Sequence, residues 1–384
     1  MKYLYIVGAC GSIGRQTLDI VRKSKDEFKI IGMSVGSNIE LSLALIEEFK
    51  PEIVCFRKKN SYKLSYSPII VYGDEGLEFI AGYKKYDNET FINALVGIAG
   101  LKPTVAAIKA RKEICLANKE TLVVAGDIIK SLIKEYNVPL IPIDSEHSAI
   151  LQCLTGENKK EIKRLIITAS GGSFRDKKRN ELEFVTKKEA LAHPNWKMGE
   201  KITIDSATMM NKGFEVIEAH YLFDIPYDKI DTILHRQSIV HSMVEFNDGT
   251  IKAEIGTSDM HTPISYALRY PSHNNLESDN LNLYNLNLSF EELSFDRYPC
   301  LSYAYIAARK ESIYLTVLNA ANEAAVALFL NDKIKFLDIE KIIYDEISND
   351  EYKNIDYNLE NIISLSDEII KKVIKAHGGL EKWY

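Results

Sequence analysis

The sequence predicts an α/β protein: an N-terminal Rossmann-like parallel sheet, a central α/β catalytic domain and a C-terminal helical domain. Three observations predict it. Short apolar, β-favouring runs alternate with helical segments through the first 147 residues, the pattern of a parallel sheet with covering helices. The first of those runs opens directly into a glycine-rich turn, and from Tyr298 onward the apolar spacing is helical. At 384 residues the chain exceeds one ordinary core. We expect segments at 1–147, 148–275 and 298–384, with 276–297, rich in Asn, Ser and Leu, as a linker.

Composition narrows the class. Apolar residues make up 46%, enough to build those cores, and the net charge of -6 argues against a general nucleic-acid binder. Cys10, Cys55, Cys115, Cys153 and Cys300 are scattered without a CxxC spacing, which fits reduced thiols in a cytoplasmic protein. The first strand begins at Lys2, so no signal peptide is expected. No apolar run approaches membrane-span length on this reading, and no membrane partner is expected.

Residues 3–7 form a buried-strand pattern that runs into Gly8-Ala9-Cys10-Gly11-Ser12-Ile13-Gly14, followed by a helical segment at 15–24. Strand, glycine-rich turn and helix in succession present backbone N–H groups and a helix start to a pyrophosphate. Gly8 suits a tight turn, Gly11 a close ligand approach, and Gly14 close packing of helix on strand. The next strand, 28–35, ends in Gly36-Ser37-Asn38, with no Asp or Glu where NAD sites hold the ribose hydroxyls. That favours NADP. Glu40 reads as the far end of a capping box opened by Ser37. Further strands are expected at 52–56, 69–72, 92–97, 113–117 and 140–143. Ligands of such sheets bind beyond the carboxyl ends of the strands. Ala117-Asn118-Lys119-Glu120 falls at one such end, where Lys119 is either a surface lysine paired with Glu120 or a contact to cofactor or substrate.

Asp144-Ser145-Glu146 falls at another. In extended backbone, residues i and i+2 share a side, so the two carboxylates would converge while Ser145 faces away. Side by side they repel unless a cation lies between them. A helix cap and a divalent-cation site both remain open on these residues alone.

In the central segment a strand at 164–168 opens into Ala169-Ser170-Gly171-Gly172-Ser173-Phe174-Arg175, a candidate phosphate cradle or a flexible turn. His193-Pro194-Asn195-Trp196-Lys197-Met198-Gly199 reads as a mobile flap or as a loop anchored in the core. Residues 202–205 read as a strand, followed by a helix that places Asn211, Lys212 and Glu215 on one face. Strands at 230–234, 241–246 and 250–255, the last two joined by Asn247-Asp248-Gly249, read as scaffold or subunit interface. His235 and His241 read as structural. Helices are expected at 301–309, 316–330, 337–347 and 365–376, with Asn319, Asn322 and Glu323 structural.

Taken together, GACGSIG (8–14), LANKE (116–120), PIDSEH (142–147), ASGGSFR (169–175), HPNWKMG (193–199), IDSATMMNKGFE (204–215), DRYPC (296–300) and LNAANE (318–323) resemble the 1-deoxy-D-xylulose 5-phosphate reductoisomerases of the non-mevalonate route to isoprenoids. The resemblance implies that Asp144, Glu146 and Glu215 hold Mg²⁺ or Mn²⁺, with Co²⁺ as a third choice. All-oxygen ligation of that kind suits hard cations. It places Ser170, Ser206, Asn211 and Lys212 on the phosphate of a phosphorylated sugar, and Ser145 and Lys119 on its hydroxyl groups. His193 would close over the sugar with Trp196 and Met198. NADPH would be held by Cys10, Gly11, Ser12, Ile13, Gly36, Ser37, Asn38, Asn118, Lys119, Glu120 and Gly199. It also implies a homodimer. Cys10 stands where Thr is usual, Ser37 where a basic residue is common, and Ser173 and Arg236 where Pro is usual. A simple NADP-dependent dehydrogenase and a non-catalytic NADP sensor are the rival readings.

Overall fold

In the computed structural model, residues 1–60, 62–196, 198–276, 281–310 and 312–380 are described. The chain divides into two compact units that are not contiguous in sequence. The first takes Met1–Thr121, Ile129–Ser148 and Asp259–Ser278; the second takes Leu122–Ile128, Ala149–Ser258 and Asp279–Tyr384.

The first unit is built on seven strands: β1 (Lys2–Val7), β2 (Phe28–Ser34), β3 (Ile53–Phe56), β4 (Ile69–Tyr72), β5 (Glu89–Asn93), β6 (Glu113–Leu116) and β7 (Leu140–Pro142). They lie in the order β4-β3-β2-β1-β5-β6-β7, every pair parallel. β3, Ile-Val-Cys-Phe, is buried along its whole length, which is why it reads as a continuous apolar run and not as alternation. The strand order reverses beside β1, so the crevice for a ligand opens at the carboxyl ends of β1 and β5. Gly8 sits there with φ +89, and a Cβ on it would come within 2.4 Å of the Ala94 carbonyl oxygen. The turn after β1 and the loop after β5 can approach so closely only around a glycine.

The helix His261–Arg269, expected with the central segment, clusters with this unit. Lys2 donates to the Leu268 carbonyl at 2.9 Å, and Arg269 pairs with Glu27 at 2.8 Å. These are single polar ties across more than two hundred residues, which no local periodicity announces. The helix Ile39–Phe49 is capped by Asn38, whose side chain accepts from Leu41 N at 3.1 Å. That replaces the capping box expected from Ser37 and Glu40.

The second unit holds a mixed sheet of β8 (Ile162–Ala169), β9 (Ile230–Leu234), β10 (Val240–Phe246), β11 (Ile251–Ile255) and β12 (Glu291–Glu292), in the order β11-β10-β8-β9-β12. β8 and β9 run parallel and the other pairs antiparallel. The Asn247-Asp248-Gly249 hairpin is present, with Gly249 at φ +86 donating to the Phe246 carbonyl. One core joins the sheet to the helices: Leu165, Ile167, Val216, Phe223, Val244 and Leu301 belong to a single buried cluster. Leu301 lies in the first C-terminal helix, Pro299–Ala308. The C-terminal helices therefore complete the core of the central sheet.

Two expectations are corrected here. Residues 202–205 are helical, within Glu200–Thr208. Alternating Ile and Thr suggested a strand, but burial among other helices overrides that local preference. The helix Ile313–Leu330 is apolar and long enough to cross a membrane by length and composition, contrary to the sequence reading, yet all 18 residues are buried inside this unit.

Candidate functional site

In the first unit, candidate groups collect along the carboxyl ends of β1, β6 and β7. The turn after β1 leads to the helix Ser12–Lys23, which starts at Gly11 with no side-chain cap. Its first N–H groups are open to an anion, as the glycine spacing predicts. The turn is braced from β2, since Ser34 Oγ accepts from Gly8 N at 2.8 Å. Cys10 Sγ stands 3.4 Å from Ser42 Oγ. Gly11, Ser12, Ser37 and Asn38 are exposed, and Cys10, Ile13 and Gly36 half-buried.

Beyond β6 the side chains are engaged with one another. Asn118 donates to the Gly97 carbonyl at 2.9 Å and to Glu120 Oε2 at 2.9 Å, while its Oδ1 accepts from Thr121 N at 3.1 Å. It thereby ties the loop after β5 to the helix Lys119–Tyr136. Asn93, missed from sequence, does similar work by donating to the Gly100 carbonyl at 2.9 Å and to Thr104 Oγ1 at 2.8 Å. A buried Asn at the end of an apolar strand was the available signal.

Lys119 pairs with Asp144 Oδ2, both side chains nearly buried. Asp144 Oδ1 accepts from Glu146 N at 3.1 Å and His147 N at 3.4 Å. It caps the helix Ser145–Leu154, one of the two roles left open by the sequence, while its other oxygen pairs with the Lys119 ammonium. The strand geometry assumed for this triplet is corrected: β7 ends at Pro142 and Glu146 lies in the first helical turn. Ser145 does not face away, since its hydroxyl donates to Glu146 Oε2 at 2.6 Å. His147, singled out by no sequence argument, is fully buried with Nδ1 3.5 Å from Asp144 Oδ1.

In the second unit, β8 delivers Ser170 to a turn with Gly171 at φ +89 and Gly172 at φ +70. A Cβ on Gly172 would lie 2.5 Å from the Ser206 carbonyl oxygen. The turn thus packs against the last turn of the helix Glu200–Thr208, which carries Ser206. That helix starts at Gly199 and ends at Met209, whose φ of +63 reverses the chain into Met210–Phe223. On this next helix Asn211 donates to Glu215 Oε1 at 2.5 Å, and Lys212 pairs with Glu215 Oε2. Glu215 and Lys212 are buried. The trio expected on one helix face is there, as a buried charge pair and not a solvated surface.

His193 Nδ1 accepts from Asn195 N at 3.2 Å and Trp196 N at 3.0 Å. The ring proton therefore sits on Nε2, which donates to Ser170 Oγ at 3.0 Å. Burial, with the Arg175 charge adding to it, pushes the imidazole down to about 4. Asn195 ties the loop down by donating to the Arg236 carbonyl at 2.8 Å and Ser238 Oγ at 2.7 Å. Trp196 meets His241 edge-on at 6.1 Å, and Met198 is half-buried. Lys197 lies outside the described residues. Arg236 is anchored by Asp176 and Glu291.

Comparison with known proteins decides the family. Models of 1-deoxy-D-xylulose 5-phosphate reductoisomerase match residues 4–126, and those of its C-terminal domains match 140–223 and 255–372. The Bacillus pumilus enzyme of that name is 54% identical over 351 residues, covering 89% of this chain and 91% of its own. The chain belongs to the 1-deoxy-D-xylulose 5-phosphate reductoisomerase family. The reductoisomerase of Geobacillus sp. (strain WCH70) is 50% identical over 375 residues, covering 96% of this chain and 98% of its own. Among solved structures, a DOX-P reductoisomerase in complex with NADPH, fosmidomycin and magnesium superposes with a TM-score of 0.92 at 40% identity, covering 98% of both chains. The Zymomonas mobilis reductoisomerase with NADPH gives 0.89 at 36% identity, covering 99% of this chain and all of that one.

Proposed function

We propose that this chain converts 1-deoxy-D-xylulose 5-phosphate to 2-C-methyl-D-erythritol 4-phosphate, rearranging the carbon skeleton and reducing the resulting aldehyde with NADPH, in the non-mevalonate route to isoprenoids. One observation carries the reading. A glycine-rich turn with an uncapped helix start and an acidic pair partnered by a lysine share the carboxyl rim of one parallel sheet. A reductase of a simple carbonyl has no use for that acidic pair.

The residues fit both groups that the relatives carry. The open N–H groups after Gly11 suit the NADPH pyrophosphate, with Cys10, Ser12, Ile13, Gly36, Ser37 and Asn38 around it; Gly199 is assigned to the cofactor by the family resemblance alone. Asn118 and Glu120 serve the cofactor by shaping the loop, since their side chains are engaged there. Asp144, Glu146 and Glu215 are the metal ligands in this reading, and an all-carboxylate set suits Mg²⁺ or Mn²⁺. When bound, the ion supplies Lewis-acid stabilisation of charge on the sugar oxygens.

The chain's own groups do the rest. Lys119 and Ser145 donate to the sugar hydroxyls. Ser170, Ser206, Asn211 and Lys212 hold the phosphate through charge-assisted hydrogen bonds, and that remote binding orients the reacting carbons. His193, neutral with its proton on Nε2, offers a donor at the flap, and Trp196 with Met198 excludes water. We place most of the cofactor groups in 1–147, Gly199 excepted, and the phosphate-binding groups in 148–275. The protein acts as a cytoplasmic homodimer in this proposal, supported by unpaired cysteines and by the edge strand β11, where Ile251 and Ile255 are exposed.

NADPH oxidation with 1-deoxy-D-xylulose 5-phosphate, followed with and without Mg²⁺ or Mn²⁺, tests the reading. Metal-dependent turnover is expected. Turnover without metal would favour a simple dehydrogenase, and NADPH binding with no turnover a sensor.

A further inference from the structure

We propose that Asp205, Lys201 and Asn322 are positioning residues for the phosphate end of the site, acting through Ser206. The proposal rests on the reading of Ser206, Asn211 and Lys212 as phosphate ligands. Asp205 is 3% exposed, and both its oxygens are engaged. Oδ2 takes Lys201 Nζ at 2.8 Å from one turn earlier on the same helix, and Oδ1 takes Asn322 Nδ2 at 2.8 Å from the buried helix Ile313–Leu330. Lys201 and Asn322 are themselves buried.

Apolar packing between two helices is non-directional and tolerates small rotations about their axes. A buried carboxylate held from a second helix does not, because a turn that breaks the Asn322 bond leaves one carboxylate oxygen and the Asn322 amide without each other away from water, while the Lys201 pair turns with its own helix. The network therefore fixes the angle at which Glu200–Thr208 presents its last turn. Ser206 is the next residue along. Its carbonyl accepts from Met209 N at 3.2 Å, at the reversal that starts the helix bearing Asn211, Lys212 and Glu215. The same carbonyl stands 2.5 Å from where a Cβ on Gly172 would be, in the turn that carries Ser170. One buried carboxylate thus sets the placement of segments from which all four proposed phosphate ligands project. The sequence reading took Asn322 as structural; its partner makes the role specific.

The test compares Asn322→Ala, Asn322→Ser, Ser206→Ala and the double variant Asn322→Ala/Ser206→Ala. For each, KM for the phosphorylated sugar, kcat, Kd for NADPH and Tm are measured. Asn322→Ala should raise the sugar KM about tenfold, with NADPH affinity within about twofold of wild type. Asn322→Ser, which keeps a hydroxyl donor, should recover much of that loss. In the Ser206→Ala background, Asn322→Ala should add less than about threefold, since residues that act through one another are not additive. A lower Tm and kcat with an unchanged sugar KM, while Ser206→Ala raises that KM, would overturn the positioning role. If Ser206→Ala leaves KM unchanged, the phosphate reading itself fails and this proposal falls with it. Should Asn322→Ala not fold, Asn322→Gln, whose longer side chain misplaces the amide donor, takes its place: a raised sugar KM is expected, and one equal to that of wild type overturns the proposal.

Discussion

The two units hold their candidate groups in opposite ways. In the first, they hang from loops at the ends of parallel strands, cross-braced by neutral side chains such as Asn93, Asn118 and Ser34. Gly11, Ser12 and Ser37 are exposed and Glu146 half-buried, so a ligand can reach them directly, and the charge pair named among these groups, Lys119 with Asp144, keeps a little exposure. In the second, they ride on two successive helices, and the charges are already buried as pairs: Lys212 with Glu215, and Lys201 with Asp205. A buried pair is costly to break, because the surviving partner is left without water or counter-charge. Substitutions in the second unit should therefore damage chemistry and folding together, and those in the first should separate them.

The sharpest contrast sets Glu215→Gln against Glu146→Gln. Both should lower kcat by at least about a thousandfold, since each removes a carboxylate that the proposed reading assigns to the metal of an ion-dependent step. Glu215→Gln also takes the carboxylate charge away from the buried Lys212 ammonium and should cost about 3–5 kcal/mol of stability. Glu146→Gln should leave Tm nearly unchanged. NADPH affinity should survive in both, by fluorescence titration. Equal Tm losses would break the contrast, and loss of NADPH binding by Glu215→Gln would make Glu215 a structural residue.

Next in size is Lys212→Gln, which removes the charged donor proposed for the phosphate and should weaken sugar binding by about 2–3 kcal/mol, read as KM where chemistry is slow. Gly172→Ala should cost less, about 1–3 kcal/mol of stability, as a left-handed φ and a contact with the Ser206 carbonyl both oppose the new methyl. It should also raise the sugar KM, because the contact lies between Ser170 and Ser206. A drop in Tm with no change in KM would show that the turn is scaffold only.

His193 gives a pH-dependent prediction. Its imidazole is lowered from the usual 6.5 to about 4 by burial and then by the Arg175 charge. A depressed His contributes stability that is present above 6.5 and lost as pH falls towards 4. Wild type should thus be more stable than His193→Gln at pH 7, with the margin shrinking as the pH is lowered to 4. Urea denaturation at several pH values checks this, and a margin that widens on acidification would refute it.

What the sequence revealed divides along the same line as the units. Around β1 the elements and residues were both legible, because a buried strand, a glycine turn and a helix start are local features. The residues 204–215 were singled out while their local structure was misread, Asp205 being helical and not at a strand end. Nothing local distinguishes a β-branched helix buried among other helices from a strand. Asp144 shows a third case: a helix cap and a divalent-cation site were weighed as alternatives, and the residue caps with one oxygen while the other pairs with the Lys119 ammonium. The network of Asn322 with Asp205 was invisible, since it joins residues 117 apart.

The smallest expected effect belongs to the first unit and sharpens what its exposure means. Ser37 is exposed in the loop after β2, beside the cap Asn38, where a basic side chain could meet the 2′-phosphate of NADPH. Ser37→Arg should tighten NADPH binding by about threefold to tenfold, the worth of one solvent-screened charge contact. The gain should fade as salt rises, because screening acts on exposed charges first. NADH binding and Tm should not move, since the side chain touches neither the adenosine hydroxyls shared by both cofactors nor the core. A comparable gain for NADH would mean that the arginine acts on the pyrophosphate, and the selectivity of this rim would then have to come from elsewhere in the loop.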